Sequence, residues 1–256
     1  MKKVCVRGVV LGEGMPKVCV PIVARNMDDA IKQAEAIAQL REGEERAADL
    51  VEWRADWLDG VNDPEKLLGT AAAIRRILPD MPVLFTFRML KEGGEQALPE
   101  QEYLDVTIRA ARSGLIDLVD VELSAGDDEV QRVLDAAHQS DVSVICSNHD
   151  FYATPSKEEI LLRLKRMEAL GADILKIAVM PNTAQDVLTL LSATEEMSRH
   201  SSRPLITMSM SSMGVVSRLC GETFGSCLTF GAVGKASAPG QIGAGDLRRI
   251  LKVIHG

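Results

Sequence analysis

A strand-like pattern and a helix-like pattern alternate eight times along the 256 residues of this chain. Each short run rich in valine, isoleucine and leucine precedes a longer stretch with helical spacing of apolar residues. The predicted strands are 17–24, 49–56, 83–88, 116–123, 142–149, 172–180, 205–210 and 227–233. The predicted helices are 27–41, 64–78, 100–112, 127–139, 157–170, 183–199, 215–221 and 246–254. Such regular alternation predicts a parallel sheet with helical crossovers.

Eight strand-helix units in a chain of this length predict a closed (β/α)8 TIM barrel, an α/β fold for which about 250 residues is typical. Residues 4–11 and the turn at 12–14 predict a hairpin arm ahead of the barrel. No linker or low-complexity tract divides the chain, so we expect one barrel domain over 1–256. The alternative, an open doubly wound sheet, lacks a GxGxxG signature after a strand, and Gly234-Lys235 lacks the upstream glycines of a phosphate loop.

Composition excludes several classes of function. The net charge of -8 argues against a nucleic-acid surface, which needs a basic face. No apolar run reaches the roughly 18 residues of a membrane helix, and Arg7 and Gly8 interrupt the apolar N-terminal run, which therefore predicts a strand and not a signal. Five cysteines without CxxC spacing indicate neither a disulfide framework nor a zinc site. We therefore expect a cytoplasmic protein without nucleic-acid or membrane partners.

One lysine, Lys176, lies in the middle of the sixth predicted strand, whose sequence is ADILKIAVM. Because side chains alternate along a strand, Ile174, Lys176 and Ala178 share one face, and apolar residues cover the other. The amine is thus directed into an apolar interior, where burial disfavours its charged form. Such a lysine either pairs with a buried carboxylate or loses its proton and acts as a nucleophile. The sequence pattern by itself leaves both outcomes open.

Other predicted strands also place polar residues on one face, opposite apolar residues. These are Glu52, Arg54, Asp56, Thr86, Arg88, Asp120, Glu122, Ser147 and His149. Many lie late in their strands, at the end where barrel enzymes carry their active sites. Structural roles are the alternative: Lys176 pairing with Asp120 or Glu122, Glu52 with Arg54, and His149 as a hydrogen-bonded core residue. Buried charges at this density are costly unless they pair or bind a ligand.

The residue types of this cluster favour imine chemistry. The four histidines show no HxH or HExxH spacing, which argues against a metal site, and no GxSxG segment supports a serine hydrolase. The remaining set is an amine nucleophile, a histidine that can carry a proton, and arginines that can bind an anion. Such a set suits a keto acid, because an imine with Lys176 would ease removal of a neighbouring proton, which His149 could take.

Six segments in chain order resemble the type I 3-dehydroquinate dehydratase family along nearly the whole chain. They are EWRAD at 52–56, FTFR at 85–88 with KEGGEQ from residue 91, SNHDF at 147–151, ADILKIAVMP at 172–181, MSMSSMGVVSRL at 208–219 and FGAVGKASAPGQI at 230–242. The resemblance implies a (β/α)8 barrel, in agreement with the alternation. It also implies the shikimate-pathway dehydration of 3-dehydroquinate to 3-dehydroshikimate, without metal or cofactor, in a cytoplasmic homodimer.

The resemblance also implies roles for individual residues. Lys176 would form a Schiff base with the C3 ketone, and His149 would take the C2 proton and then assist loss of the C1 hydroxyl in a syn elimination. Glu92 would orient the histidine, and Arg218 would bind the substrate carboxylate. The further substrate-binding residues would be Glu52, Arg54, Arg88, Ser237, Gln241, Met208 and Met210. Residues 238–245 would form a lid.

Two other functions remain as alternatives. A Schiff-base aldolase or transaldolase would share the barrel and the lysine but break a carbon-carbon bond. A non-catalytic barrel that binds small anions would keep Lys176 protonated in an ion pair. The histidine in SNHD and the SAPGQI segment argue against the aldolase.

Overall fold

The computed structural model describes residues 3–234 and 237–256. The strands in this part of the chain are β1 (Val4–Val6), β2 (Val9–Leu11), β3 (Lys17–Ile22), β4 (Arg41–Glu42), β5 (Glu45–Arg46), β6 (Leu50–Arg54), β7 (Val83–Thr86), β8 (Leu118–Glu122), β9 (Ser143–Asp150), β10 (Ile174–Val179), β11 (Leu205–Ser209), β12 (Leu228–Ala232) and β13 (Ile242–Gly243). The α-helices are α1 (Met27–Gln39), α2 (Pro64–Ile77), α3 (Glu100–Ala111), α4 (Asp127–His138), α5 (Lys157–Ala169), α6 (Ala184–His200), α7 (Val215–Leu219), α8 (Gly221–Phe224) and α9 (Ala244–His255).

The main sheet is parallel and curls into the predicted barrel. Its strand order is β11-β10-β9-β8-β7-β6-β3-β12-β13. At the seam between β11 and β12, Leu205 and Ser226 form a parallel bridge, and the Cys227 amide donates to the Leu205 carbonyl at 2.8 Å. The β1–β2 hairpin precedes the barrel, as predicted. The fold expected from the eightfold alternation is therefore confirmed.

Local signals explain where several helices begin. The Asn26 side chain accepts from the Asp29 amide at the start of α1, and Asp63 accepts from Glu65 before α2, which opens with Pro64. Both residues satisfy amides that lack partners inside the helix. No helix within residues 3–234 and 237–256 is long and apolar enough to cross a membrane.

Several short elements differ from the sequence prediction. The helix expected over 215–221 is two short helices, α7 and α8. The hairpin of β4 and β5 and the strand β13 were not predicted, because two-residue strands carry no readable alternation. In the predicted lid, residues 238–245, β13 pairs with Gly231 and Ala232, and α9 begins at Ala244. Closure of this segment stays a prediction.

The barrel interior is apolar at the amino ends of the strands and polar above. The apolar floor consists of Leu50, Leu84, Leu118, Ile145, Ile174 and Ile206. Val6 and Leu11 of the hairpin pack against this floor and cover that end. The next inward positions along the strands include Glu52, Asp120 and Lys176, so charged side chains begin one layer above the floor. The fold thereby leaves the carboxyl ends of the strands for a site.

A repeated carboxylate contact joins neighbouring strands below the site. The residue before each of β6, β8 and β10 is an aspartate. It accepts a hydrogen bond from a backbone amide of the neighbouring barrel strand (β3, β7 and β9, respectively) and pairs with an arginine. The sets are Asp49 with Val18 and Arg248, Asp117 with Val83 and Arg75, and Asp173 with Val144 and Arg203. These contacts align adjacent strands and thus the inward side chains three positions further along them, which are Glu52, Asp120 and Lys176.

Candidate active site

A single pocket at the carboxyl ends of the strands collects every predicted site residue. It encloses about 450 Å³. Its lining includes all of the predicted set: Glu52, Arg54, Arg88, Glu92, His149, Lys176, Met208, Met210, Arg218, Ser237 and Gln241. The five other lining residues are Gly93, Phe151, Ala178, Phe230 and Ala238. The barrel therefore brings inward strand residues and residues of the loops and short helices that follow the strands to one cavity.

The amine of Lys176 lies in the polar layer of the barrel. Register places Lys176 beside Ser147 of β9 and Ile206 of β11. Its Nζ is 3.3 Å from Asp120 Oδ2 and 3.6 Å from Glu52 Oε1, and it lies 4.8 Å from the centroid of the Phe230 ring. The ion pair with Asp120 considered from the sequence is present. Because Lys176 also lines the pocket, this pairing and a role as nucleophile are compatible.

Arg88 and Asp120 form the centre of the buried charge network. Arg88 donates through Nη2 to Asp120 Oδ1 and through Nη1 to Glu122 Oε1, both at 2.9 Å. The Ser147 hydroxyl donates to Asp120 at 2.6 Å. Burial alone would raise the pKa of Asp120, but Arg88 and Lys176 hold it well below its usual range. Asp120 is therefore an anion shared by two cations.

Glu92 reaches His149 from a tight turn after β7. Its Oε2 accepts the His149 backbone amide at 2.9 Å and lies 3.0 Å from Nδ1, while the Ser124 hydroxyl donates to Oε1. The turn ends at Gly93 with φ +82°, where an added Cβ would lie 2.3 Å from the Phe151 ring. Glycine thus allows this ring to pack over the turn that carries Glu92.

The environment of His149 favours a neutral imidazole. Burial, then the charges of Arg88 and Lys176, hold the pKa of His149 well below 6.5. Since the Glu92 oxygen faces Nδ1, we assign the ring proton to Nδ1, which leaves the lone pair on Nε2. A neutral histidine with this tautomer can act as a general base in the pocket.

Arg54 pairs with Asp56 and not with Glu52. The two nitrogens Nε and Nη2 donate to the two carboxylate oxygens of Asp56, each at 2.7 Å. Glu52 instead accepts from the Thr86 hydroxyl at 2.9 Å. The Glu52–Arg54 pair considered from the sequence is therefore wrong. Arg54 also donates to the carbonyl of Ser237 at 3.4 Å, so it contacts the loop after β12.

Arg218 is a buried cation without an anionic partner among the described residues. It lies in α7, is 1% exposed, and donates to the Pro239 carbonyl at 3.1 Å, while its Nε has no partner in that part of the chain. Burial lowers its pKa to about 10, so the group stays charged at neutral pH. A buried charge of this kind lining a pocket suits an anionic ligand.

The loop after β12 lies against the turn before α7. The side-chain amide of Gln241 donates through Nε2 to the Ser237 hydroxyl at 3.0 Å. The backbone amide of Ser237 donates to Gln241 Oε1 at 2.9 Å. At Gly240, which has φ +79°, an added Cβ would lie 2.3 Å from the Ser211 carbonyl oxygen. Lys235, weighed in the sequence as part of a phosphate loop, lies outside the described residues.

Comparison with known proteins decides the family. A sequence model of the type I 3-dehydroquinase family matches residues 18–256. The 3-dehydroquinate dehydratase of Salmonella typhimurium is 54% identical over 256 residues, which are 100% of this chain and 99% of that protein. The chain belongs to the type I 3-dehydroquinase family. The prediction of a hydro-lyase of this family is therefore confirmed.

Solved structures support the same assignment. The type I 3-dehydroquinate dehydratase from Clostridium difficile, solved with covalent modified comenic acid, has a TM-score of 0.95 and 47% identity, over 100% of this chain and 99% of that one. The 3-dehydroquinate dehydratase from Geobacillus kaustophilus has a TM-score of 0.94 and 39% identity, over 99% and 96%. The barrel of this type I 3-dehydroquinase therefore aligns with these two structures over nearly the full length of each chain.

Several residues in or next to the pocket of this type I 3-dehydroquinase were not predicted as site residues. Asp120 contacts Lys176 and Ser147 contacts Arg88, although neither lines the pocket, and both were placed on the polar face without a site role. Phe151 and Phe230 lie inside the matched SNHDF and FGAVG segments, and Ala178 is two residues after Lys176 on the same face. Strand parity could have found Ala178, whereas the ring positions depend on tertiary packing.

Stability should depend on pH through His149. Its folded pKa lies below the unfolded value of 6.5, so below pH 6.5 the unfolded chain binds a proton that the folded protein does not. We expect the free energy of unfolding to fall between pH 7 and pH 5 because of this group. His149→Gln should lack this loss in denaturant titrations, whereas the exposed control His200→Gln should keep it. Equal pH dependence in wild type and His149→Gln would contradict the neutral assignment.

Proposed function

We propose that this protein dehydrates 3-dehydroquinate to 3-dehydroshikimate and water through a Schiff base on Lys176. The observation that carries the proposal is one buried pocket holding the Lys176 amine, the His149–Glu92 pair and the uncompensated Arg218. Family membership supports the substrate, which the Salmonella typhimurium relative is named for. The Clostridium difficile relative, solved with covalent modified comenic acid, supports covalent chemistry in this family.

The first step joins the enzyme to the substrate ketone. The Lys176 ammonium gives up one proton and its Nζ attacks C3. The ketone oxygen then leaves as water with that proton and one more from Nζ, which gives a protonated imine. Asp120 and Glu52, at 3.3 and 3.6 Å from Nζ, stabilise positive charge on this nitrogen. Since the imine keeps the charge that the ammonium carried, the same carboxylates serve both states. The protonated imine then accepts electrons from the neighbouring carbon.

His149 would carry out both proton transfers of the elimination. Its Nε2 takes the proton from C2, and the electron pair of that C–H bond moves into the imine to form an enamine. The imidazolium, stabilised by Glu92 at 3.0 Å, then donates its proton to the C1 hydroxyl, which leaves as water as the C1–C2 double bond forms. Hydrolysis of the imine releases the product and returns Lys176. One histidine acting on both groups accounts for syn geometry.

The rest of the pocket would bind the substrate. Arg218 holds the carboxylate, because its planar fork matches two carboxylate oxygens and its charge has no other described partner. The polar groups for the substrate hydroxyls are Glu52, Arg54, Arg88, Ser237 and Gln241. Met208 and Met210 form an apolar wall. The shikimate pathway is the setting that this reaction implies, while a homodimer and a cytoplasmic location stay predictions.

The alternative weighed from the sequence is a non-catalytic barrel that binds small anions, and the Lys176–Asp120 ion pair does not favour it over the enzyme. The two candidates differ in turnover. The enzyme should convert 3-dehydroquinate to the conjugated enone without added metal, as followed by ultraviolet absorbance.

Lys176→Ala should abolish turnover, and His149→Ala should lower kcat by about 10³-fold, the scale of a lost general base. The control His200→Ala should stay within about twofold. Full activity in His149→Ala would remove that residue from the mechanism.

Substrate binding gives a separate prediction for Arg218. Removing a buried charge that pairs with the substrate carboxylate costs ~3 kcal/mol, so Arg218→Ala should raise KM about 100-fold. Arg218→Lys should recover part of the loss, because it restores charge without the bidentate geometry. The exposed control Arg249→Ala should leave KM unchanged. An unchanged KM in Arg218→Ala would reject the assignment.

A further inference from the structure

A second cavity lies beside the pocket described above. We name it the outer cleft; it encloses about 420 Å³ and shares no lining residue with the substrate pocket. Its lining is Met89, Lys91, Glu100, Tyr103, Glu122, Ser124 and Ala125. No role in the proposed reaction has been given to these residues.

Glu122 is the buried acid of the outer cleft. Its residue is 0% exposed, and Oε1 accepts from Arg88 at 2.9 Å and from the Met89 amide at 2.8 Å. The other oxygen, Oε2, is buried and has no hydrogen-bond partner among the described residues. A buried carboxylate oxygen without a donor is costly as an anion, whereas protonation removes the buried charge. The geometry therefore favours the neutral acid.

The outer cleft also contacts the back of the His149–Glu92 pair. Ser124 lines the cleft and donates through its hydroxyl to Glu92 Oε1, while the other oxygen of Glu92 faces His149 Nδ1 at 3.0 Å. Arg88 connects the two acids as well, since its Nη1 is 2.9 Å from Glu122 and 3.9 Å from Glu92. A change of charge on Glu122 thus acts on His149 through Arg88 and Glu92.

The charges around Glu122 indicate why a proton would be held there. Four buried carboxylates, Glu52, Glu92, Asp120 and Glu122, share the two cations Arg88 and Lys176. The charged groups near Glu122 are Arg88, Glu92 and Asp120 in the barrel, and Lys91 and Glu100 in the outer cleft. The Tyr103 hydroxyl accepts a hydrogen bond from the backbone amide of Glu122. Burial, then the charge of Glu92, raise the pKa of Glu122 to about 7.

We propose that Glu122 is a positioning residue that exchanges a proton with solvent through the outer cleft and tunes the basicity of His149. In its neutral form it leaves His149 a weaker base, and its ionised form stabilises the imidazolium that forms when His149 takes the C2 proton. The role in turnover rests on the proposed function. The protonation of Glu122 in the unliganded protein does not.

The test follows the ring signals of His149 by NMR in the unliganded wild-type protein as pH is varied. We expect a step near pH 7, caused by ionisation of Glu122. Glu122→Gln should remove the step, because glutamine keeps the oxygen that accepts from Arg88 and Met89 but cannot ionise. Glu92→Gln should keep a step but move it to lower pH, because loss of the Glu92 charge lowers the pKa of Glu122. Glu100→Gln, which neutralises an exposed acid of the same cleft, should also retain it.

Three results would overturn the proposal. They are a wild-type titration without a step near pH 7, a step that persists in Glu122→Gln, and a step that disappears in Glu92→Gln. The wild-type and Glu92→Gln titrations keep the test decisive if Glu122→Gln does not fold. In activity assays the wild-type profile of kcat against pH should show the same step, and Glu122→Gln should lose it. A protein that shows the NMR step but does not convert 3-dehydroquinate would separate failure of the proposed function from failure of this inference.

Discussion

The active site depends on one buried carboxylate, Asp120, that lies between two cations. Arg88 and Lys176 contact its two different oxygens, at 2.9 and 3.3 Å, and Ser147 donates to the oxygen that Arg88 uses. Removing either cation would leave the buried carboxylates with only the other cation as a partner, which should be strongly destabilising. The inner layer of the barrel is therefore ordered by electrostatics as well as by packing. This order holds the Lys176 amine at the base of the pocket while leaving it open to a ligand.

The alternation of residues predicted the inward faces correctly, because a barrel strand must bury both sides and its period is two. Lys176, Arg88 and His149 could therefore be assigned to one interior from sequence alone. Their placement at one end followed from their late positions in the strands. Motif resemblance added Glu92, Arg218, Ser237 and Gln241, which lie in loops and short helices where periodicity carries no information. All of these residues line the same pocket.

Pairing among the charged residues could not be read from the sequence. Arg54 has acidic neighbours at both 52 and 56, and only the turn that follows β6 shows that Asp56 is its partner. Likewise, the sequence left Asp120 and Glu122 as possible ion-pair partners of Lys176. In the curved sheet, the Lys176 amine pairs with Asp120 and Glu52. From the sequence, an ion pair and a nucleophilic role of Lys176 stood as alternatives. The geometry shows that a paired lysine can still face the pocket.

The central claim is that this buried amine forms an imine with the substrate ketone. Borohydride reduction during turnover of 3-dehydroquinate, followed by peptide mass mapping, tests it most directly, because reduction turns the imine into a stable secondary amine. The account predicts one adduct, on the peptide that contains Lys176, with the mass of the reduced ligand. Treatment without 3-dehydroquinate should give none. An adduct on a different lysine, or no adduct while the enone product accumulates, would contradict the account.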